Sequence, residues 1–445
     1  MTKRLAVGFL LVLAGLPAAS QGQTLPATLE LDQAIEIALS RHGHLDAARA
    51  AIEARAGATK QAGLSPNPVF VLQTENWRFH GDPGFSASRD LDVFAFVSMP
   101  IETAGKKHRR IELAEVDERI ADLERQAVAW RVRQNVKRTY WQALAAQARL
   151  EMLSRGRETL QRLEEYHEVR VRLGAIAEVD LIKVRVEAGR IALTLAEGEM
   201  ETSRAKIALL EAMGVSMSFS EAGTDFDLRQ PDAKPANVSW NSTQASAEVV
   251  ETAIAHRAEI LLGRAHVERA GAAVELQRSL GRPDVTPYLG YKRSSPFHTL
   301  VGGFSIPLPV RNKNSGAIEE ALAEVRRQEA TLRAFEARIR AEVAAAVEAV
   351  RRRSEMLRSM ESGMLERARE TARIATAAYQ EGGVELLDVL DAQRAQNEIG
   401  LLYSQMLFDY QLSWVELETV AGTSGLPLPV KGTQTAADWS RMRIQ

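Results

Sequence analysis

Two stretches of this sequence match each other at a nearly constant offset, which restricts the fold to one unit built twice. Arg131-Val132-Arg133 with Val136 matches Arg338-Ile339-Arg340 with Val343, and Ser98-Met99-Pro100-Ile101 matches Ser305-Ile306-Pro307-Leu308. Gly174 and Asp180 match Gly382 and Asp388, and upstream Ala38-Leu39 to Leu45 matches Ala253-Ile254 to Ile260. Stacked arrays need three or more copies to bury a continuous core, so two copies point to a duplicated domain.

Each half carries the same order of elements. In the first, residues 23–217, the periodicity predicts a helix over 31–63, with Asp32 and Glu36 in its first turn and Pro66-Asn67-Pro68 beyond its end. Strands follow over 69–76 and 92–99, separated by a Gly/Pro/Asp-rich loop and closed by Pro100. From Gly105 a helical pattern runs almost unbroken to Leu173, Gly174 interrupts it, and a further helix covers 178–213. The second half, 243–423, repeats this with helices over 246–280, 314–381 and 384–421 and strands over 286–293 and 299–306. Residues 218–242 link the halves and 424–445 form a tail.

Length decides what such a unit can be. At about 1.5 Å per residue, a helix of roughly 68 residues extends about 100 Å, far more than a compact domain needs. The two shorter helices of each half together match that length. Each half therefore reads as a rod two helices wide, with an Ala-rich stripe for close packing and Arg and Glu outside. The strands need more than one chain: a hairpin is marginal alone and four strands cannot close around a lumen, whereas three chains supply twelve. Val93, Ala95, Val97 and Met99 share one face, and Leu300, Gly302, Phe304 and Ile306 the matching one; that face is expected to meet lipid.

The first 22 residues read as a secretory signal: Lys3 and Arg4, an apolar run from Leu5 to Leu16, then Pro17-Ala18-Ala19-Ser20. No later stretch offers the roughly 18 apolar residues of a spanning helix, so any membrane crossing falls to strands. The chain has no cysteine, which excludes disulfides, thiolate metal sites and an acylated cysteine anchor. With 56 basic and 58 acidic residues there is no nucleic-acid signature. The eight histidines form no metal motif, since His42 and His44 lie two apart and no His-Glu-x-x-His run occurs. No phosphate loop or nucleophile elbow occurs either, so neither an enzyme nor a cofactor is expected.

Particular segments carry a family resemblance. Asp32-Gln33-Ala34-Ile35 through Ala48-Arg49-Ala50, then Gln61-Ala62-Gly63-Leu64-Ser65-Pro66-Asn67-Pro68, resembles the N-terminal helix and first strand of the TolC-like outer-membrane efflux family. Tyr379-Gln380-Glu381-Gly382-Gly383-Val384-Glu385-Leu386-Leu387-Asp388-Val389-Leu390-Asp391 is similar to that family's inner periplasmic turn. The resemblance implies a mainly α fold with a small β part: a homotrimer whose twelve-stranded outer-membrane barrel continues into a long α-helical periplasmic barrel. It also implies docking, through a periplasmic adaptor, to an inner-membrane RND-type transporter. Ser305-Ile306-Pro307-Leu308-Pro309-Val310-Arg311-Asn312-Lys313-Asn314-Ser315-Gly316 is similar to the heavy-metal branch, the outer-membrane component of cobalt-zinc-cadmium exporters. Heavy-metal export is thus the expected activity, with multidrug efflux or type I protein secretion as alternatives. Physically this segment is a strand-to-helix turn in which prolines end the ladder and Asn314 or Ser315 caps the next helix.

Asp388 and Asp391, three apart on one helical face, are placed by the resemblance at the periplasmic constriction, where three copies would ring the axis with six carboxylates. The plainer reading is helix-dipole stabilisation. It accounts equally for Asp180, the repeat partner of Asp388, but not for Asp391, whose partner is Lys183. The resemblance gives Tyr379 the task of holding the tip closed by hydrogen bonding, and Val384 stands where an arginine partner can occur. The breaks at Arg172-Leu173-Gly174-Ala175-Ile176 and Glu381-Gly382-Gly383-Val384 are expected hairpin tips that meet the adaptor. They also suit ordinary turns that use glycine for positive φ.

Overall fold

A computed structural model of the chain describes residues 25–215, 225–231 and 242–423. The expected signal and tail lie outside them, as does most of the link between the halves. The chain opens with a short strand β1 (Thr28–Leu29), helices α1 (Leu31–Arg41) and α2 (Gly43–Ala62), and strand β2 (Val69–Glu75). A one-turn helix α3 (Ala87–Asp90) precedes β3 (Asp92–Ser98), α4 (Lys106–Arg172) and α5 (Glu178–Ala212). After the short strand β4 (Asp227–Leu228) the order recurs as α6 (Ser242–His256), α7 (Ala258–Leu280), β5 (Thr286–Ser294) and β6 (Phe297–Ser305). It ends with α8 (Ser315–Ser359), a π-helical turn (Met360–Met364), α9 (Leu365–Gln380) and α10 (Leu386–Ala421).

Three helices expected to be continuous are interrupted. The one over 31–63 breaks at His42 and the one over 246–280 at Arg257, both with extended backbone. Each break receives a left-handed glycine from the far end of another helix: a Cβ on Gly214 (φ +70°) would lie 3.1 Å from the His42 Cα, and one on Gly422 (φ +71°) 3.1 Å from the Arg257 Cα. Only glycine accepts both that conformation and that approach. The third interruption is the π turn. The repeat offset is 207 residues from Arg131 to Arg338 but 208 from Gly174 to Gly382, so the second copy carries one extra residue, which one i→i+5 turn absorbs. Asn314 does occupy the N-cap of α8, but its amide donates to the Gln277 carbonyl of α7 (2.7 Å) instead of capping.

The four longer strands form one antiparallel sheet in the order β2-β3-β5-β6. Its register lines Phe70, Val97, Leu289 and Gly302 into one cross-strand row and Leu72, Ala95, Tyr291 and Leu300 into the next, on the same face. Phe70, Leu72, Leu289 and Leu300 are all exposed there. The other face carries the row Gln73, Phe94, Lys292 and Thr299, with the Lys292 ammonium 4.7 Å from the Phe94 ring centre. The outer edges of β2 and β6 have no partner among the described residues.

Helix packing is a single layer. Near the sheet, α2 packs on α4, α4 on α7 and α7 on α8; farther away, α5 packs on α4, α4 on α10 and α10 on α9. The core sits where these rows meet. One cluster gathers Val136, Tyr140, Leu209 and Met213; the matching one gathers Val343, Val350, Tyr410 and Leu417. The Tyr140 hydroxyl lies 2.8 Å from the Leu29 carbonyl and 2.6 Å from that of Arg229, which ties β1 and β4 to α4; burial pushes its pKa up to about 12.

Candidate gate and hairpin tips

Both long hairpins turn by the same device at the end away from the sheet. α4 ends with Leu173 and a left-handed Gly174 (φ +65°), and the Ala175 amide donates back to the Arg170 carbonyl at 2.9 Å. α9 ends with Glu381 and Gly382 (φ +78°), and the Gly383 amide donates to the Ala378 carbonyl at 2.8 Å. This is the six-to-one bond of a Schellman cap, for which glycine supplies the positive φ. At the first tip Arg172, Leu173, Gly174 and Ala175 lie on the surface, and at the second Gly382 and Gly383 do, while Ile176 and Val384 are half-buried.

The carboxylates expected at the gate have different surroundings. Asp388 closes a capping box at the start of α10, its Oδ2 accepting from the Glu385 amide at 3.1 Å. Its repeat partner Asp180 instead accepts from Lys183 (3.1 Å). Asp391 accepts from Arg394 (2.9 Å), and the same guanidinium reaches across to Glu187 of α5 (3.0 Å). Helix capping therefore accounts for Asp388. Asp391 belongs to an ion-pair bridge between hairpins, which the dipole reading does not cover. Both carboxylates remain exposed on one face of α10.

Tyr379 does make a hydrogen bond that joins the hairpins, but its partner is a residue the sequence did not single out. Its hydroxyl lies 2.9 Å from Nε2 of His167 on α4, and the rings stack at 5.8 Å with 11° between their planes. His167 is fully buried, and its Nδ1 lies 2.8 Å from the Leu163 carbonyl. A carbonyl only accepts, so Nδ1 carries the proton and Nε2 accepts from the phenol. Burial raises the pKa of Tyr379, with Asp180 adding to the shift and Arg170 opposing it, so the phenol stays protonated at neutral pH and able to donate. One signal was available: His167 follows Leu153 and Leu160 at steps of seven, on the buried stripe of α4.

Within a single chain, and among the described residues, no three acidic or histidine side chains are grouped to hold a metal, and no helix is long and apolar enough to cross a membrane. The family model for outer membrane efflux proteins matches residues 34–215 and 249–423. The chain is 26% identical over 382 residues to the cobalt-zinc-cadmium resistance protein CzcC of Cupriavidus metallidurans, covering 85% of this chain and 86% of that one. It is also 26% identical over 413 residues to the pyoverdine export outer membrane protein OpmQ of Pseudomonas putida, covering 85% and 84%. The fold matches that of the outer-membrane channel OprN with a TM-score of 0.70 at 19% identity, over 89% of this chain and 91% of that one. The chain belongs to the outer membrane efflux protein family, and it is an outer-membrane channel subunit of a tripartite efflux pump.

Proposed function

We propose that three copies close edge to edge into one conduit that carries divalent heavy-metal cations from the periplasm to the exterior. The sheet carries this reading. Its exposed apolar rows suit lipid, its opposite face is polar enough for a lumen, and its two free edges cannot remain open in a bilayer. Three copies joined β6 to β2 give twelve strands and remove every edge. The helix rows continue that wall into the periplasm, and the surface tips at Arg172 to Ile176 and Gly382 to Val384 are where a periplasmic adaptor would dock. Asp388 and Asp391 would then line the narrow end as a cation-attracting ring, with Asp180 and Tyr379 beside it.

The cargo class rests on the metal-resistance relative and on the turn from Ser305 to Gly316. A second reading, export of an organic molecule, is favoured by the pyoverdine-export relative, which matches at the same identity. Deletion of the gene separates them. Heightened sensitivity to zinc, cobalt or cadmium, restored by the intact gene, is the expected result. Sensitivity confined to dyes, detergents or a chelating siderophore would favour the organic cargo and leave the conduit in place.

A further inference from the structure

The face of the sheet that carries the exposed apolar rows does not end on one. At the end away from the helices, two residues beyond Leu72, Ala95, Tyr291 and Leu300 on the same face, the register sets Thr74, Val93, Arg293 and His298 side by side. The loop between β2 and β3 folds against that row. The Trp77 indole donates to the Thr74 hydroxyl (3.1 Å), and the Arg293 guanidinium donates to the Ser88 carbonyl (2.7 Å). Both tethers come from side chains of the apolar face, so they hold the loop on that side of the sheet.

The loop so held is both aromatic and cationic. Trp77 and Phe85 stack at 5.6 Å, and Phe79 is 88% exposed. Beside them Arg78 and Arg89 share one carboxylate, that of Asp90, which also accepts from the Ser86 amide (2.9 Å). The Asp90 side chain is only 5% exposed, whereas those of the two arginines are 47% and 48% exposed. One covered carboxylate thus fixes two guanidiniums and neutralises one. With Arg293 beside Ser88, three guanidiniums stand against the carboxylates of Asp82 and Asp90. The opposite face differs in sign at the same end, where Glu75 and Asp92 pair across β2 and β3.

We propose that this rim binds the phosphate groups of an outer-leaflet glycolipid of the lipid A type. The site rests on the reading of the sheet as a barrel wall, and it names the lipid that meets that wall and the side chains that hold it. One row is about 7 Å along a strand, so the guanidiniums stand at headgroup height above Leu72 and Leu300. Phosphate on a sugar headgroup would meet Arg78, Arg89 and Arg293, and acyl chains would lie against the exposed aromatic rings and the apolar rows below. A belt that only anchored the wall at the interface would need the rings alone. Guanidinium is the side-chain group that matches phosphate with two parallel hydrogen bonds, and all three cations are arginines.

The full chain, purified in detergent and freed of bound lipid, is titrated with lipid A while bound lipid is counted by native mass spectrometry. Lipid A should bind and raise the temperature at which the particle dissociates. Lipid A stripped of its phosphates should bind roughly tenfold more weakly, as expected for the loss of charge-assisted hydrogen bonds. Arg78→Gln with Arg293→Gln should weaken lipid A to the same degree and leave the stripped lipid unchanged, and Arg293→Lys should keep part of the binding. Lys292→Gln, on the opposite face, should bind as the parent does. Equal affinity of the parent for both lipids, unaltered affinity in the double arginine variant, or the same thermal shift from inorganic phosphate alone would overturn the proposal. A particle that fails to conduct in a planar bilayer would instead overturn the barrel reading.

Discussion

The second copy of the repeated unit is interior where the first is edge. α7 buries Ile260, Gly263, Ala265, Ala270, Val274 and Ser279, whereas α2, its counterpart, buries Leu45 alone. α10 buries Phe408 and Val415, whereas Met200 and Ile207 of α5 are exposed at the matching positions. The elements are equivalent in sequence order and in length, so propensity does not separate them. Position in the row does: α7 packs on α4 and α8, and α10 on α4, α8 and α9, whereas α2 and α5 pack mainly on α4. Each copy is satisfied on the side that meets the other and open on the far side, which is what one segment of a closed ring looks like when it is taken out of the ring.

The largest expected effect sits in that contrast. Phe408→Ala removes a buried ring packed near Trp141 and should cost about 3–5 kcal/mol of chain stability by denaturant unfolding. Met200→Ala, at the matching exposed position, should change the unfolding of the separated chain by less than about 0.5 kcal/mol. It should nevertheless lower the temperature at which the trimer dissociates. Equal costs in the two unfolding experiments would break the comparison.

The two helix breaks differ in the same sense. Arg257 is buried between Glu259 and Glu342, while His42 stands at the edge of the row with a partly exposed ring. Arg257→Ala leaves Glu259 without its ion-pair partner and Glu342 with Arg338 alone, and should cost about 2–3 kcal/mol, against less than about 1 kcal/mol for His42→Ala. Burial pushes the pKa of both glutamates up, but the hydrogen bonds and charge of Arg257, together with the charge of Arg338, outweigh it and hold them below the ordinary value of 4.5. The stability they contribute is therefore present above that value and lost as pH falls through their lowered folded values. Arg257→Ala should flatten this acid limb, and an unchanged limb would show that the ion pair contributes nothing.

At the tips the contrast is smaller. His167→Ala removes the acceptor for Tyr379 and opens space in a buried contact, and should cost about 1–3 kcal/mol. It should also raise the open probability in planar bilayers. His167→Gln keeps an acceptor and should restore part of the closure; if both variants gate like the parent, the bond is structural only. Smallest is the carboxylate pair, where Asp388→Asn and Asp391→Asn should each cost less than about 1 kcal/mol, through a weakened capping box and a lost surface ion pair. Together they should weaken cation preference and block by trivalent cations. Unchanged selectivity with a lower melting temperature would leave capping and ion pairing as their only roles.

Much of this was legible because it depends on local signals. Breakers placed α4 between Gly105 and Gly174, alternation placed all four strands to within two residues at each end, and both tip glycines adopt the positive φ expected of them. What was not legible depends on contacts between distant segments. His42 and Arg257 interrupt helices only because Gly214 and Gly422 arrive there from elsewhere in the chain. The π turn shows in sequence only as a one-residue change of offset, which a loop insertion would produce equally well. Tyr379 was singled out, but its partner lies 212 residues away, and nothing local marks His167 as more than one member of a buried stripe.

The central claim is that these edges close on copies of the same chain, and the mass of the detergent-solubilised particle, corrected for bound detergent by sedimentation equilibrium, tests it most directly. Three chains per particle, persisting on dilution and conducting in a planar bilayer, is the expected result. A folded particle of one chain, stable with the edges of β2 and β6 unpaired, would contradict it.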